Sequence, residues 1–302
     1  MAPIFMKTIS ELGEFGLIDL LARGLRPGKD VLAGIGDDCA VIRYTRGKYL
    51  LWTTDLLFAG RHFLDEAKPY QIGWKSLAVS ISDIAAMAGL PKYALVFIGL
   101  PPNKSLAYAR EIYRGISDLA QKYAVQIVGG DTNSFDRLVI GTTVLGWAEK
   151  SYLTLRSGAR PGDLICVSGP LGRGPKIHLS FLPRVKEARR IKKRFGATAM
   201  LDISDGLLGD FRHIAEQSGA GGEIYLADIP TVPGVSKEEA LVSGEEFELV
   251  FTAAAKKAEA VRQAGFFVVG RVAEKSRGVK VFLPNGRRYR PADAGYDHFR
   301  RT

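Results

Sequence analysis

The chain has 302 residues, of which 46 % are hydrophobic and 25 % charged, the profile of a soluble globular protein and not of a disordered one. A formal charge of +10 admits either nucleic acid or an anionic small molecule as partner. The basic runs at 184–194 and 287–301 lack the aromatic interleaving of nucleic-acid binders, so an anionic small molecule is expected and nucleic acid is not. No apolar stretch is long enough to span a membrane, and residues 1–10 lack a signal-peptide pattern, so a cytoplasmic protein without a membrane partner is expected.

The first predicted element is a helix over 9–24 with Ser10 as N-cap. Strands over 39–44 and 48–54 follow, joined by the Arg46-Gly47 turn. Pro69 opens a helix that runs to about Ala88, and 92–99 reads as a strand. Leu106, Ala109, Ile112, Ile116, Leu119 and Tyr123 recur at helical spacing, and 125–128 and 138–147 read as strands. Ser, Gly and Pro in 149–162 mark a boundary, giving expected domains over 1–148 and 149–302. The second half predicts strands at 164–168, 223–226, 247–252, 266–270 and 279–283, with helices at 206–218 and 253–264. Cys39 and Cys166 both lie in apolar segments and read as small buried hydrophobes.

Five apolar runs end in aspartate: Asp37-Asp38, Asp55, Asp83, Asp131 and Asp202 with Asp205. A carboxylate at the end of a buried element does not stay charged without a partner. Hard divalent cations, shared with substrate phosphates, satisfy several such ends together. Ser76, Ser80 and Asp83 fall on one stripe of an otherwise apolar helix. Thr53 and Asp55 share one face of their strand by alternation. Taken singly, Asp37-Asp38 and Gly129-Gly130-Asp131 are ordinary turn signals, and Ser204 or Asp205 an ordinary helix cap. Gly169–Lys176 is not a phosphate loop, because Pro175 stands where that motif needs lysine.

Together, in order and spacing, these segments resemble the thiamine-monophosphate kinase family of the aminoimidazole-ribonucleotide-synthetase-like ATPases. The motifs are Gly34-Ile-Gly-Asp-Asp38, Thr53-Thr-Asp55, Ala59-Gly-Arg-His-Phe63, Ser82-Asp-Ile-Ala-Ala-Met87, Val128-Gly-Gly-Asp-Thr132, Arg156-Ser-Gly-Ala-Arg-Pro-Gly-Asp163, Asp202-Ile-Ser-Asp-Gly-Leu207, Gly244-Glu-Glu-Phe-Glu-Leu249 and Gly295-Tyr-Asp-His-Phe299.

The resemblance implies a two-domain α+β fold of mixed sheets packed with helices, dimerising through its first domain. It implies transfer of the ATP γ-phosphate onto thiamine monophosphate. By the resemblance, Asp37, Thr53, Thr54, Asp55, Asp83, Asp131, Asp202 and Asp205 match positions that hold several magnesium ions. Among them Asp55, Asp83, Asp131 and Asp205 are the expected catalytic carboxylates. Tyr113, Gly130, Asp131, Arg156 and Ser204 match ATP contacts; His62, Glu245, Glu246 and Tyr296 match the acceptor pocket. Such chemistry suits the residues, because joining two phosphates requires metals to neutralise and align them. Another ATPase of the same superfamily, acting on a purine precursor, is the alternative reading.

Two departures stand out. Gly244-Glu-Glu-Phe247 replaces the family's Gly-Glu-Asp-Tyr, and the segment after Ser168 is shortened. There Arg173, Lys176 and the run 186–194 form either a lid over the nucleotide phosphates or a solvated helix.

Overall fold

The computed structural model describes residues 8–291. The first half runs α1 (Ile9–Ala22), β1 (Val31–Ala33), β2 (Ala40–Thr45), β3 (Lys48–Phe58), α2 (Pro69–Ala86), β4 (Leu90–Leu100), α3 (Leu106–Tyr123), β5 (Gln126–Ser134) and β6 (Val139–Glu149). Its strands form one six-stranded sheet in the order β1-β2-β3-β6-β4-β5, antiparallel except for β4–β5.

The second half runs β7 (Leu164–Val167), α4 (Gly174–Ile177), α5 (Val185–Phe195), β8 (Ala199–Asp202), α6 (Leu207–Gln217), β9 (Ala220–Tyr225), α7 (Lys237–Val242), β10 (Leu249–Ala253), α8 (Ala258–Gln263), β11 (Phe267–Glu274), β12 (Val279–Phe282) and β13 (Arg288–Tyr289). These strands form a seven-stranded sheet in the order β13-β12-β9-β11-β7-β10-β8. The architecture is therefore α+β, as expected.

Helix α1 is capped two residues earlier than expected and ends at Ala22 instead of 24. Thr8 is the N-cap, and its amide donates to the Glu11 carboxylate at 2.6 Å. Cys39 and Cys166 are both free and buried.

The element that positions the site is α2. Its apolar residues Ile72, Leu77, Ala78, Ile81, Ile84 and Ala85 are all buried, because it packs between the first sheet, α3 and the second half. The approach to α3 is set by two glycines. A Cβ on Gly73 would lie 1.9 Å from the Ile112 carbonyl oxygen, and one on Gly115 the same distance from that of Tyr70. Only hydrogen fits at either place, so Ile112, Ile116 and Leu119 seal the crossing.

The core continues across the junction of the halves. Phe181, Val185 and Phe247 join the first core, while Ala86 and Ala88 join a second-half cluster around Ile191, Phe195 and Phe251. Burial of this apolar surface fixes the two sheets against each other.

Candidate active site

Four elements meet at one place. The β2 entry brings Asp38, β3 brings Thr53 and Asp55, the last turn of α2 brings Asp83, and the end of β8 brings Asp202. Ligand atoms of Asp38, Asp83 and Asp202 all lie within 4.8 Å of one another. Thr53 Oγ1 donates to Asp83 Oδ2 at 2.5 Å, and Ser80 Oγ to Asp55 Oδ2 at 2.6 Å. Ser82 Oγ donates to Asp202 Oδ2 at 2.5 Å, which ties α2 to β8. The α2 stripe is thus split. Ser80 and Asp83 face the cluster, whereas Ser76 turns back to the Gly73 carbonyl of its own helix.

Among the described residues, Arg156 is the cation that answers these carboxylates. Arg156 donates through Nη2 to Asp38 Oδ1 at 2.7 Å, and its amide reaches both Asp37 oxygens at 3.2 and 3.3 Å. Asp38 Oδ2 stays buried without any hydrogen-bond partner. The electrostatics show the shortfall. Burial, with the Asp38 charge second, raises the Asp37 and Asp202 carboxyls to about 7. Burial raises Asp55 to about 6. It also pushes Asp83 well above the ordinary carboxyl range, with Asp55 and Asp202 adding to the shift. Asp83 further lies in the C-terminal turn of α2, where the helix dipole disfavours an anion. An orphaned buried oxygen and three converging carboxylates are the donor set of a hard oxygen-ligated dication, so magnesium fits here.

Sequence reasoning chose Asp37 as the metal residue of its pair. The structure corrects this: Asp38 joins the cluster, while Asp37 is taken up by backbone amides of Arg156 and Asp38. Two adjacent aspartates give no local signal for that choice. Asp210 was also missed. It is buried, accepts from the Asp205 amide at 3.1 Å, and is raised well above its ordinary value by burial and then by Asp205. Asp205 therefore stands beside the cluster through Asp210. Ser204 lies in the same loop, where its carbonyl accepts from the Glu245 amide at 2.7 Å.

Other expected residues do not converge on the cluster. Thr54 points to the opposite face of the sheet and pairs with Thr143 at 2.9 Å. Asp131 shares a register row with Phe97, Gly141 and Leu56, also on that face. Its carboxylate accepts from Asn133 at 2.6 Å and borders a pocket of about 300 Å³. Gly130 lies in the Asp55 row, pressed so closely on β4 that a Cβ would meet the Val96 carbonyl at 1.8 Å. Tyr113 is exposed on α3, the helix behind α2.

A second polar group sits further back along α2. Lys75 is fully buried. Its Nζ donates to the His62 carbonyl at 2.8 Å and to Glu245 Oε1, and lies 2.8 Å from His178 Nδ1. That same nitrogen is 2.9 Å from Glu245 Oε2. His62 Nδ1 accepts from the Phe58 amide at 3.0 Å, which leaves its hydrogen on Nε2. His62 and Glu245, the expected acceptor residues, are therefore joined through Lys75, which the sequence had not singled out. Burial lowers Lys75 from its ordinary value, opposed by the Glu245 charge. Burial acts to raise Glu245, but the His178 hydrogen bond and the Lys75 charge outweigh it and hold Glu245 below its ordinary value. The loop carrying Glu245 is strained, since Glu245 and Phe247 both have positive φ, 56° and 50°.

Glu246 has a different place from the one expected. It is 1 % exposed. Its oxygens accept from the amides of Gly172, Arg173 and Gly174 and from Ser243 Oγ, at 2.6 to 3.1 Å. It anchors the shortened segment instead of facing a pocket. That segment is pinned at three arginines and otherwise presents a solvated face, with Lys176, Lys186, Arg190, Lys193 and Arg194 exposed. Arg173 and Arg184 both pair with the buried Glu248. Arg189 pairs with Glu149 at 2.9 and 3.1 Å and caps the Ala88 carbonyl. The buried Glu248, the part-exposed Glu149 and the Ala88 carbonyl, which a sequence cannot assign, fix Arg173, Arg184 and Arg189 in place. Tyr296 lies outside the described residues.

Residues 36–148 match the N-terminal domain, and 170–282 the C-terminal domain, of AIR synthase related proteins. The chain is 33 % identical to a thiamine-monophosphate kinase of Aquifex aeolicus, over 96 % of this chain and 99 % of that one. It is 31 % identical to a thiamine-monophosphate kinase of Bacillus subtilis, over 96 % and 100 %. Among solved structures it resembles AaThiL complexed with AMPPCP and TMP, with a TM-score of 0.85, 33 % identity, and coverage of 97 % and 99 %.

Proposed function

We propose, because this chain belongs to the thiamine-monophosphate kinase family, that it transfers the γ-phosphoryl group of ATP to the phosphate of thiamine monophosphate, giving thiamine diphosphate and ADP. The observation that carries this reading is the pairing of two sites along one helix. Ser82, beside the acidic cluster, and Lys75, beside Glu245, are seven residues apart on α2, or roughly 10 Å along its axis. A phosphorylated acceptor spans the two, with its phosphate at the aspartates and its rings at Glu245 and His62. The likeness to a relative complexed with AMPPCP and TMP supports the same pair of substrates.

In this reading Asp38, Asp55, Asp83 and Asp202 hold magnesium ions, with Thr53, Ser80 and Ser82 fixing the carboxylates. Bound magnesium would supply the positive charge that lets two phosphate groups approach and align in line. Arg156 holds Asp38 and brings a guanidinium to the nucleotide side. Asp205 and Ser204, ahead of α6, present a loop and a helix N-terminus where phosphate is favoured. No side chain need act as base, because the acceptor phosphate is already an anion.

A homodimer belongs to the same proposal. Trp52, Leu56, Phe58 and Tyr93 are 39–50 % exposed on the open face of the first sheet, an apolar surface of the kind that association covers. Among the described residues no helix is long and apolar enough to cross a membrane, and we place the enzyme in the cytoplasm.

The test is direct. Purified protein with ATP, magnesium and thiamine monophosphate should yield thiamine diphosphate, and EDTA should stop it. Folded protein that makes no product at saturating magnesium, or that turns over an aminoimidazole precursor instead, would refute the assignment.

A further inference from the structure

We infer that Lys75 is a positioning residue of the acceptor pocket: from α2 it holds the Glu245 carboxylate, across the junction of the two sheets, in the orientation that receives the acceptor's rings. The inference rests on the reaction proposed above and adds a residue to it.

A fully buried lysine is rare, and burying its charge is costly unless every proton is used. Lys75 is held by its neighbours: Nζ donates to the His62 carbonyl and to Glu245 Oε1, and His178 Nδ1 lies 2.8 Å away. Because it is fully buried, Lys75 acts on the acceptor only through the groups it holds. Glu245 is different. Its side chain is 37 % exposed, and a carboxylate offers about four lone-pair sites. Lys75 meets Glu245 Oε1 and His178 meets Oε2, which leaves lone pairs on the exposed carboxylate for a ring amine.

The loop needs that hold. Glu245 sits at a positive φ that a non-glycine residue adopts only under constraint. The amides of Glu245 and Phe247 donate to Ser204 and Ile203 carbonyls at 2.7 and 2.8 Å. Phe181 stacks on Phe247 with ring centroids 3.8 Å apart. These contacts fix the backbone but leave the Glu245 side chain to Lys75 and His178. Lys75 also binds the His62 carbonyl, so one ammonium sets both segments of the pocket in register.

The experiment is a double-mutant cycle on the full chain. Lys75→Met keeps the length and removes the hydrogen bonds to the His62 carbonyl and Glu245. It should raise the acceptor KM about 10- to 100-fold, the range for hydrogen bonds to a charged group, with the ATP KM within about twofold. Glu245→Gln should weaken acceptor binding similarly, and the double variant should be no worse than Glu245→Gln alone, because the two act as one unit. Lys75→Gln, which keeps a donor without the charge, should fall between wild type and Lys75→Met. Full additivity in the cycle, or an effect confined to kcat or to the ATP KM, would overturn the positioning role. Calorimetric titration with thiamine monophosphate in the absence of ATP separates the two claims. Wild type that binds the acceptor but makes no product overturns the reaction. Lys75→Met that binds as tightly as wild type overturns the role of Lys75. Should Lys75→Met fail to fold, Lys75→Gln under the same titration decides the matter alone.

Discussion

Ser82 on α2 and Asp202 on β8, 120 positions apart in the chain, share a 2.5 Å hydrogen bond that joins the two sheets at the acidic cluster. The bond serves position more than stability, since the junction around it is already closed by apolar contacts. Ser82→Ala should therefore fold normally while lowering apparent magnesium affinity by about 10- to 100-fold, as loss of an outer partner of a metal ligand does. Magnesium titration of turnover checks this. Unchanged magnesium dependence would show that Asp202 orients itself without Ser82.

Asp83 has poor surroundings for an anion, with burial and the neighbouring Asp55, Asp202 and Asp38 carboxylates all acting to protonate it. Asp83→Asn should cut turnover by about 100-fold or more, by analogy with loss of a preorganised charge-stabilising group. The metal-free protein should hold its melting temperature or gain ~2 °C or more, because a crowded carboxylate is gone. A variant that melts early yet turns over normally per folded molecule would assign Asp83 a structural role.

The raised carboxyls give metal-free stability a definite sign with pH. Asp37 and Asp202 titrate near 7 and Asp55 near 6 when folded, against 3.8 for an ordinary aspartate. The folded chain thus holds these protons more tightly than the unfolded one. Their contribution is complete below the ordinary value and is lost as pH rises through 6 and 7. The metal-free protein should melt lower at pH 8 than at pH 5. Magnesium binds the ionised form, so it should raise the melting temperature more at pH 8 than at pH 5. Equal magnesium stabilisation at both values would contradict the cluster as its site.

Glu246 accepts from three backbone amides and Ser243. Glu246→Ala leaves those donors unpaired in a buried place, and it should destabilise the fold by about 3 kcal/mol. In the fraction that remains folded, the acceptor KM should stay near wild type, whereas Glu245→Gln should raise it. Chemical denaturation and steady-state kinetics on the two variants separate anchor from pocket. The reverse pattern would return Glu246 to the pocket.

What the sequence determined by itself is local and periodic. The alternation of β3 puts Thr53 and Asp55 on one face, and that face does meet Ser80 and Asp83 of α2. Apolar residues nearly all round α2 predict a largely buried helix, and from Ile72 onward every residue but Trp74 and Asp83 is buried. These features follow from backbone geometry, so a short window contains them. The same alternation sends Thr54 to the other face, a result the motif alone hid. Tertiary structure decided the rest. Whether Asp37 or Asp38 joins the cluster depends on how one loop meets Arg156. The Lys75–Glu245 pair spans 170 positions and exists only because apolar surface on α2 draws the second sheet onto the first. Glu245 and Glu246 are the same residue type side by side. One pairs with Lys75 and His178 and the other grips a backbone, and no pattern within that loop's own sequence states which.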